Sequence, residues 1–322
     1  MRKILIIGGT GSLGFVLTKR YLLDSSNDIY LYSRDECKHW SLGLEYGSNP
    51  RIHFIIGNVN DKEKITQTIL RHDFEIIILA AAMKHIDQCE FESNECMNTN
   101  LNGTQNVLNV IETYHEKLSL KKVCFISTDK ACSPVNIYGM CKAISELLVV
   151  EKAKYISSIK FVCVRYGNVL NSRGSIIPLL HKIGKDKKID SFTITDERMT
   201  RFVMTLEQSV DLVFHALDEA ESGDIVIPKL VSCNIKDMLE IFAEIYDKKI
   251  KIGSLRPGEK MLESLINETQ ARRLVKSGTG YFYIKPVFKN TTSVEELKDY
   301  NSTLNPLTKL ELKNYLKDLK LI

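Results

Sequence analysis

The stretch Ile4-Leu-Ile-Ile-Gly8-Gly-Thr-Gly-Ser-Leu-Gly14 runs four apolar residues into a turn with glycine at 8, 11 and 14. The aliphatic run favours a strand, and from Leu13 the apolar residues follow a helical period. Between strand and helix, such glycines permit a tight turn, close approach of the backbone to a pyrophosphate, and close helix–strand packing. The unpaired N–H groups that begin the helix carry partial positive charge suited to phosphate. Gly8, Thr10, Gly11, Ser12, Leu13 and Gly14 are therefore candidate cofactor-binding residues.

The pattern repeats downstream. Ile29–Tyr32, His53–Ile56, Ile76–Ala80, Val123–Ser127 and Lys160–Arg165 read as further strands. Helical spacing occupies Leu13–Leu23, Asp61–Leu70, Asn98–His115 and Tyr138–Tyr155. This alternation, with nearly unbroken apolar strands, predicts an α/β fold, a Rossmann-type doubly wound parallel sheet buried on both faces. After Arg165 the segments turn irregular, with helical stretches at Leu206–Ala220 and Ile235–Tyr246 and an amphipathic run at Lys309–Leu321. The expected organisation is a cofactor domain over 1–167, with 205–228 packing back onto it. A smaller α/β substrate domain is expected from 168–204 and 229–322.

Composition narrows the function. The 322 residues are 44% hydrophobic and 26% charged, ordinary for a soluble globular protein and unlike a disordered or fibrous chain. Lys+Arg is 44 against Asp+Glu 40, a net charge of +4. So even a balance lacks the concentrated basic surface that nucleic acid requires. The 8 cysteines form no Cys-x-x-Cys pair, and Cys124 and Cys163 lie inside strand patterns, which predicts buried, reduced thiols and no metal site. No apolar run approaches the roughly eighteen residues needed to span a bilayer. With no signal peptide evident either, a cytoplasmic protein without a membrane partner is expected.

The second strand ends Tyr32-Ser33-Arg34-Asp35. An acidic residue there binds the adenosine ribose of NAD, whereas an arginine accommodates the 2′-phosphate of NADP. Ser33 and Arg34, helped by Lys38, favour NADP, while Asp35 keeps NAD open. Asn58 and Val59 at the third strand tip, and Ala80, Ala81 and Ala82 at the fourth, complete the expected path of a dinucleotide across the strand ends.

Two groups of residues carry the chemistry. Tyr138 and Lys142 sit one helical turn apart and share a face. A free tyrosine, with a pKa of about 10, is a poor base; a neighbouring ammonium would stabilise its phenolate and make it an acid/base catalyst near neutrality. Thr128-Asp129-Lys130 leaves the fifth strand at its carboxyl end, where open α/β sheets bind ligands. Alcohol oxidation needs only a tyrosine, a lysine and a hydroxyl. An adjacent Asp and Lys add a second acid/base pair, as an elimination requires.

The run Ser127–Lys142 resembles the extended short-chain dehydrogenase/reductases. Within them it is similar to the soluble, C5-inverting UDP-N-acetylglucosamine 4,6-dehydratases of pseudaminic acid, flagellin-glycosylation and capsule polysaccharide biosynthesis. The similarity continues through Ala80–His85, Thr99–Thr104, Arg165–Pro178, Ile194–Phe202 and Arg256–Lys260, covering roughly residues 3 to 268. It implies a bound, recycled NADP. Tyr138 would take the C4 hydroxyl proton as hydride leaves C4, with Thr128 orienting the oxygen and Lys142 holding the ribose. Lys130 would then remove the C5 proton, Asp129 would protonate the departing 6-hydroxyl, hydride would return to C6, and a proton reaching the other face of C5 would invert it.

The resemblance adds Lys84, Asn100 and Val169 to the cofactor contacts. It gives Lys84, Asn168, Arg173, Gly174, Ser175, Ile176, Thr195, Arg201, Arg256 and Glu259 to the UDP-sugar, where an arginine's planar fork suits a diphosphate. It also implies a homo-oligomer, from a dimer up to a hexamer. Two departures stand out: Asn58 where the family has an aspartate, and Met140-Cys141 where it has a small pair. A UDP-N-acetylhexosamine C4 epimerase, a C5-retaining dehydratase and a non-catalytic NADP-sensing module are the competing expectations.

Overall fold

A computed structural model describes residues 1–47, 49–254, 256–291 and 298–322. In its first strand, β1 (Arg2–Ile7), alternate side chains enter different cores. Leu5 and Ile7 point into one, Ile4 and Ile6 into the other, each at 1% exposure or less. A strand buried on both faces needs a helical layer on each side. The parallel partners are β2 (Asn27–Ser33), β3 (Ile52–Ile56), β4 (Ile76–Leu79), β5 (Lys122–Ile126) and β6 (Lys160–Val164). Their spatial order is β3-β2-β1-β4-β5-β6.

Leu17 and Tyr21 of α1 (Ser12–Leu22) and Leu42 of α2 (Glu36–Tyr46) cover one face of the sheet. The other is covered by α3 (Lys62–His72), through Ile65 and Ile69. Two short helices, α4 (Ile86–Phe91) and α5 (Ser93–Met97), lead into a π-helical turn at Asn98–Asn102. Then α6 (Gly103–Tyr114) and α7 (Ile137–Tyr155) complete the second layer with Val107, Leu108, Ile111 and Val149. The chain reverses direction across the sheet between β1 and β4, which opens a crevice at their carboxyl ends.

Beyond β6 the chain leaves this sheet and returns twice. β7 (Asn168–Val169), α8 (Ile176–Lys185), β8 (Ser191–Ile194) and β9 (Thr200–Met204) depart; α9 (Leu206–Glu219) and β10 (Ile225–Pro228) come back, with β10 parallel to β6. β11 (Val231–Asn234), α10 (Ile235–Tyr246), β12 (Lys249–Ile252), β13 (Ser264–Ile266) and α11 (Glu268–Ala271) form the second excursion. β14 (Leu274–Lys276) and β15 (Tyr281–Ile284) then extend the large sheet to nine strands, β15 antiparallel to β10. This corrects the expectation that everything after 229 builds the second unit: the Tyr-Phe-Tyr-Ile run of β15 joins the cofactor sheet.

The excursions share a separate core, except that Leu265, Ile266 and Ala271 of β13 and α11 pack into the core of the large sheet. In the separate core, Phe192, Ile194, Met238, Leu239 and Phe242 pack with Leu312 and Leu316 of α12 (Lys309–Asp318). β16 (Tyr300–Asn301) pairs with β13, and β17 (Pro306–Leu307) joins β11, β9 and β7. A buried ion pair inside the cofactor body anchors the segment of β13 and α11 to it. Arg165 Nη2 lies 2.5 Å from Glu146 Oε2, while Arg165 Nη1 donates to Leu265 O at 2.7 Å and Gln270 Oε1 at 2.9 Å. Among the described residues, no helix is long and apolar enough to cross a membrane.

Candidate active site

The glycine turn forms one end of the crevice. Gly8 has φ of +90°, and a Cβ there would stand 2.5 Å from Ala81 N, so the turn tolerates only glycine. A cavity of about 290 Å³ is lined by Gly8, Thr10, Gly11, Ser33, Arg34, Lys38, Asn58, Val59 and Ala80, Ala81 and Ala82. Tyr32, Gly57 and Thr99 also line it, and no motif had marked them as contacts. Hydroxyl, backbone N–H and cationic groups converging on a glycine cradle fit the phosphates and ribose of a dinucleotide. A wider surface groove of about 980 Å³ runs along β3 and α3, but none of these groups line it.

At the β2 tip, Thr10 Oγ1 donates to Ser33 Oγ at 2.9 Å, and Ser33 Oγ is 2.8 Å from His39 Nε2. His39 was not anticipated; burial lowers its pKa. Asp35, the residue that kept NAD open, caps α2 by accepting from Lys38 N and pairs with Lys38 Nζ at 2.7 Å. Arg34 lies 3.6 Å from Glu95. Ser12 Oγ accepts from Arg173 N at 3.0 Å, and Lys84 Nζ donates to Arg173 O at 2.6 Å. The Arg173–Gly174 loop therefore bridges the glycine turn and the β4 tip. Ser175 precedes α8, which begins at Ile176, and its buried hydroxyl has no hydrogen-bond partner among the described residues.

Asn100 is not among the residues that line the glycine-loop cavity. It is fully buried, accepts from Met83 N at 2.8 Å and donates to Met83 O at 2.9 Å. Its amide holds the chain leaving β4, from the π-helical turn, while Ser145 Oγ donates to its carbonyl. Leu13 packs into the core beneath the loop, Gly14 is buried in α1, and Val169 lies in β7.

Thr128, Asp129 and Lys130 form a short turn directly after β5. Asp129 is fully buried; its Oδ1 accepts from Thr128 Oγ1 at 2.8 Å and from Lys130 Nζ at 2.9 Å, while Oδ2 has no partner. Lys130 Nζ also reaches Asn168 Oδ1 at 3.4 Å, so the structure brings these two sequence candidates together. Burial alone would lower the Lys130 ammonium, but Asp129 and Glu263 outweigh it and raise its pKa. An amine and a carboxyl at this separation form an acid/base pair with one shared proton.

Asn136 caps α7 through Gly139 N at 2.8 Å, which places Tyr138 in the first helical turn beside that pair. The expected stabilisation of a Tyr138 phenolate by the Lys142 ammonium is not found: Lys142 is not among the groups acting on the phenol. Burial and then Asp129 push the Tyr138 phenol up, opposed by a hydrogen bond with Thr128. Lys142 instead donates to Ile126 O at 2.8 Å and lies 4.5 Å from the Phe125 ring centre. Burial lowers its ammonium to about 8.

The sugar-side arginines differ from one another. Arg201 has only 9% of its side chain exposed. Its guanidinium donates to the carbonyls of Thr200 at 2.8 Å, Lys260 at 2.8 Å and Met261 at 3.3 Å. It therefore braces the loop before β13, with backbone carbonyls on the fork that was expected to face a diphosphate. Arg256 is 66% exposed, and Glu259 lies between the two, 3.8 Å from Arg256 and 3.9 Å from Arg201. Thr195 follows β8 at the same end. Lys260 donates to Cys132 O at 2.9 Å, and Glu263 comes within 3.8 Å of Lys130. Neither had been read as part of the site. Among the described residues no His, Cys, Asp or Glu cluster could hold a metal.

A family model for polysaccharide biosynthesis protein matches residues 4–285. The chain belongs to that family. As a polysaccharide biosynthesis protein it is 37% identical over 324 residues to a Campylobacter jejuni UDP-N-acetylglucosamine 4,6-dehydratase (inverting), covering 95% of this chain and 94% of that relative. It is also 37% identical over 320 residues to a Rickettsia felis protein named UDP-glucose 4-epimerase, covering 94% and 91%. The crystal structure of Pen from Bacillus thuringiensis superposes with a TM-score of 0.91 at 31% identity, covering 100% of this chain and 98% of that one.

Proposed function

We propose that this member of the family is a UDP-N-acetylglucosamine 4,6-dehydratase that inverts C5, retains NADP and supplies a UDP-4-keto-6-deoxy sugar to surface glycan assembly. The observation that carries this reading is the buried Asp129–Lys130 pair, 2.9 Å apart beside Tyr138. A C4 epimerase, the reading suggested by the Rickettsia felis relative, needs a tyrosine and a hydroxyl at C4 but no second acid/base pair.

The residues lining the glycine-loop cavity would hold the dinucleotide, which when bound would supply the redox chemistry, taking up hydride from C4 and giving it back at C6. Tyr138 takes the C4 hydroxyl proton as the phenolate, which the hydrogen bond with Thr128 favours against burial and the Asp129 charge, while Thr128 orients the oxygen. The resulting 4-keto group acidifies C5–H. Lys130, as the free amine, takes that proton, and Asp129, as the acid, gives one to the 6-hydroxyl, which leaves as water. The ion pair seen here is the state the two groups reach after that exchange. Asn168, within reach of Lys130, together with Lys84 and Arg256, faces the sugar nucleotide. NADP is favoured by Arg34, Ser33 and His39 at the β2 tip, and by the engagement of Asp35 in capping α2.

Product NMR after turnover of UDP-N-acetylglucosamine in deuterated water tests the reading. The expected product is a 4-keto-6-deoxy sugar of L-arabino configuration, deuterated at C5. Unlabelled UDP-N-acetylgalactosamine would establish the epimerase, C5 label with unchanged geometry a retaining dehydratase, and no turnover a binding module. Lys130→Ala should accumulate reduced cofactor, because oxidation at C4 proceeds and elimination stops.

A further inference from the structure

Glu263 immediately precedes β13 and is 2% exposed. Its Oε1 lies 3.8 Å from Lys130 Nζ, and its Oε2 lies 3.6 Å from Lys260 Nζ with no hydrogen-bond partner. Ser302 fixes its backbone on both sides: Glu263 N donates to Ser302 Oγ at 3.1 Å, and Ser302 N donates to Glu263 O at 2.9 Å. A buried carboxylate without a hydrogen-bond donor persists only against opposite charge. The charged groups acting on it are Lys130 and Asp129 from the turn after β5, Arg201 from β9 and Lys260 from its own loop. Glu259 sits behind Arg201. Lys130 therefore bears on two carboxylates, although protonating the leaving hydroxyl calls for only Asp129.

We propose that Glu263 is a positioning residue for the elimination, the second anion on the Lys130 ammonium, and that its charge governs when that group gives up its proton and becomes a base. With Glu263 ionised, two anions hold the proton on nitrogen. With Glu263 neutral, that proton passes to Asp129: one N–H bond breaks and one O–H bond forms. The same transfer creates the amine that takes the C5 proton and the acid that protonates the 6-hydroxyl. Burial, the largest influence on Glu263, raises its pKa against the pull of Lys130, which keeps the neutral form within reach. The inference rests on the dehydratase reading.

The test is the pH profile of kcat/KM for dehydration, with C5 deuteration followed alongside, in wild type, Glu263→Gln and Glu263→Asp. Removing the anion should lower the acidic limb by about one pH unit in Glu263→Gln, because an opposite charge at this distance raises an amine by that order. Glu263→Asp, with its charge drawn back by one methylene, should fall between Gln and wild type. A limb that stays in place or moves up in Glu263→Gln overturns the proposal, as would a plateau that drops without a shift. If the Gln variant does not fold, the Asp variant decides alone: a downward shift supports the proposal and an unmoved limb refutes it. A wild type that makes no dehydrated product brings down the dehydratase reading and this inference together; a wild type that dehydrates beside an immobile limb brings down only the inference.

Discussion

Gly139 and Lys130 meet across the active site, so that a Cβ at 139 would sit 2.2 Å from the Lys130 carbonyl oxygen. The first turn of α7, which carries Tyr138, lies directly on the turn that carries Asp129 and Lys130. A methyl group there forces the two apart. Gly139→Ala should cost about 1–3 kcal/mol of stability, the usual range for overpacking, and lower kcat by at least tenfold. Urea denaturation beside steady-state kinetics checks both. Unchanged activity would show that the two turns do not depend on their close contact.

The two arginines of the sugar side should separate cleanly. Arg201→Met takes the donor from the Lys260 carbonyl, whereas Thr200 O keeps Ser302 Oγ and Met261 O keeps Thr200 N, and is expected to destabilise the fold by about 2 kcal/mol. Arg256→Ala, at an exposed position, should leave stability within about 0.5 kcal/mol and raise KM for the UDP-sugar about tenfold, the worth of one charge-assisted hydrogen bond. Thermal melts and KM values distinguish them.

Lys142 links stability to pH. Burial depresses its folded pKa to about 8, while the unfolded lysine titrates near about 10.4. Between these values the unfolded chain binds more protons, so stability rises with pH across the window. The burial penalty, about 3 kcal/mol, is fully present below about pH 8 and absent above about pH 10.4. Urea midpoints for wild type and Lys142→Met, measured from neutrality to about pH 10, should show wild type gaining on the variant. Parallel curves would mean that Lys142 is not held in this environment.

Arg34→Ala tests the cofactor preference. Losing one cationic ligand should weaken NADP by about tenfold or more and leave NAD nearly unchanged. Calorimetric titration with both dinucleotides measures the ratio, and an equal loss for the two would place Arg34 away from the 2′-phosphate.

The glycine turn and the first six strands were legible because local spacing encodes them: Ile4–Ile7 is apolar on both faces and Gly8 follows at once. Thr128, Asp129, Lys130 and Tyr138 could be read as neighbours for a related reason, lying in one short contiguous stretch after a strand, while Asn168, which the structure sets beside Lys130, entered only through the family resemblance. Arg201 was less legible because its motif says arginine but not which way it faces; carbonyls on its fork come from Lys260 and Met261, distant in sequence. Glu263 gave no signal at all, since its importance lies in the distance to Lys130 and in its lack of a hydrogen-bond donor. β15 was placed with the wrong body because strand propensity cannot name a partner, and β10 lies well upstream.

The chain leaves the large sheet after β6, returns at β10, leaves again, and returns at β14 and β15. A chimaera joining this cofactor sheet to the sugar-recognising part of a relative therefore cannot be made with one splice point. Three separate segments, the two excursions and the stretch after β15 that carries β16, β17 and α12, must be exchanged together, with the seams falling beside β6, α9, β10, β14 and β15. Arg165, held by Glu146, must keep its Leu265 and Gln270 partners across those seams. Substrate range in such a protein is more readily altered by point changes in the excursions than by shuffling whole modules.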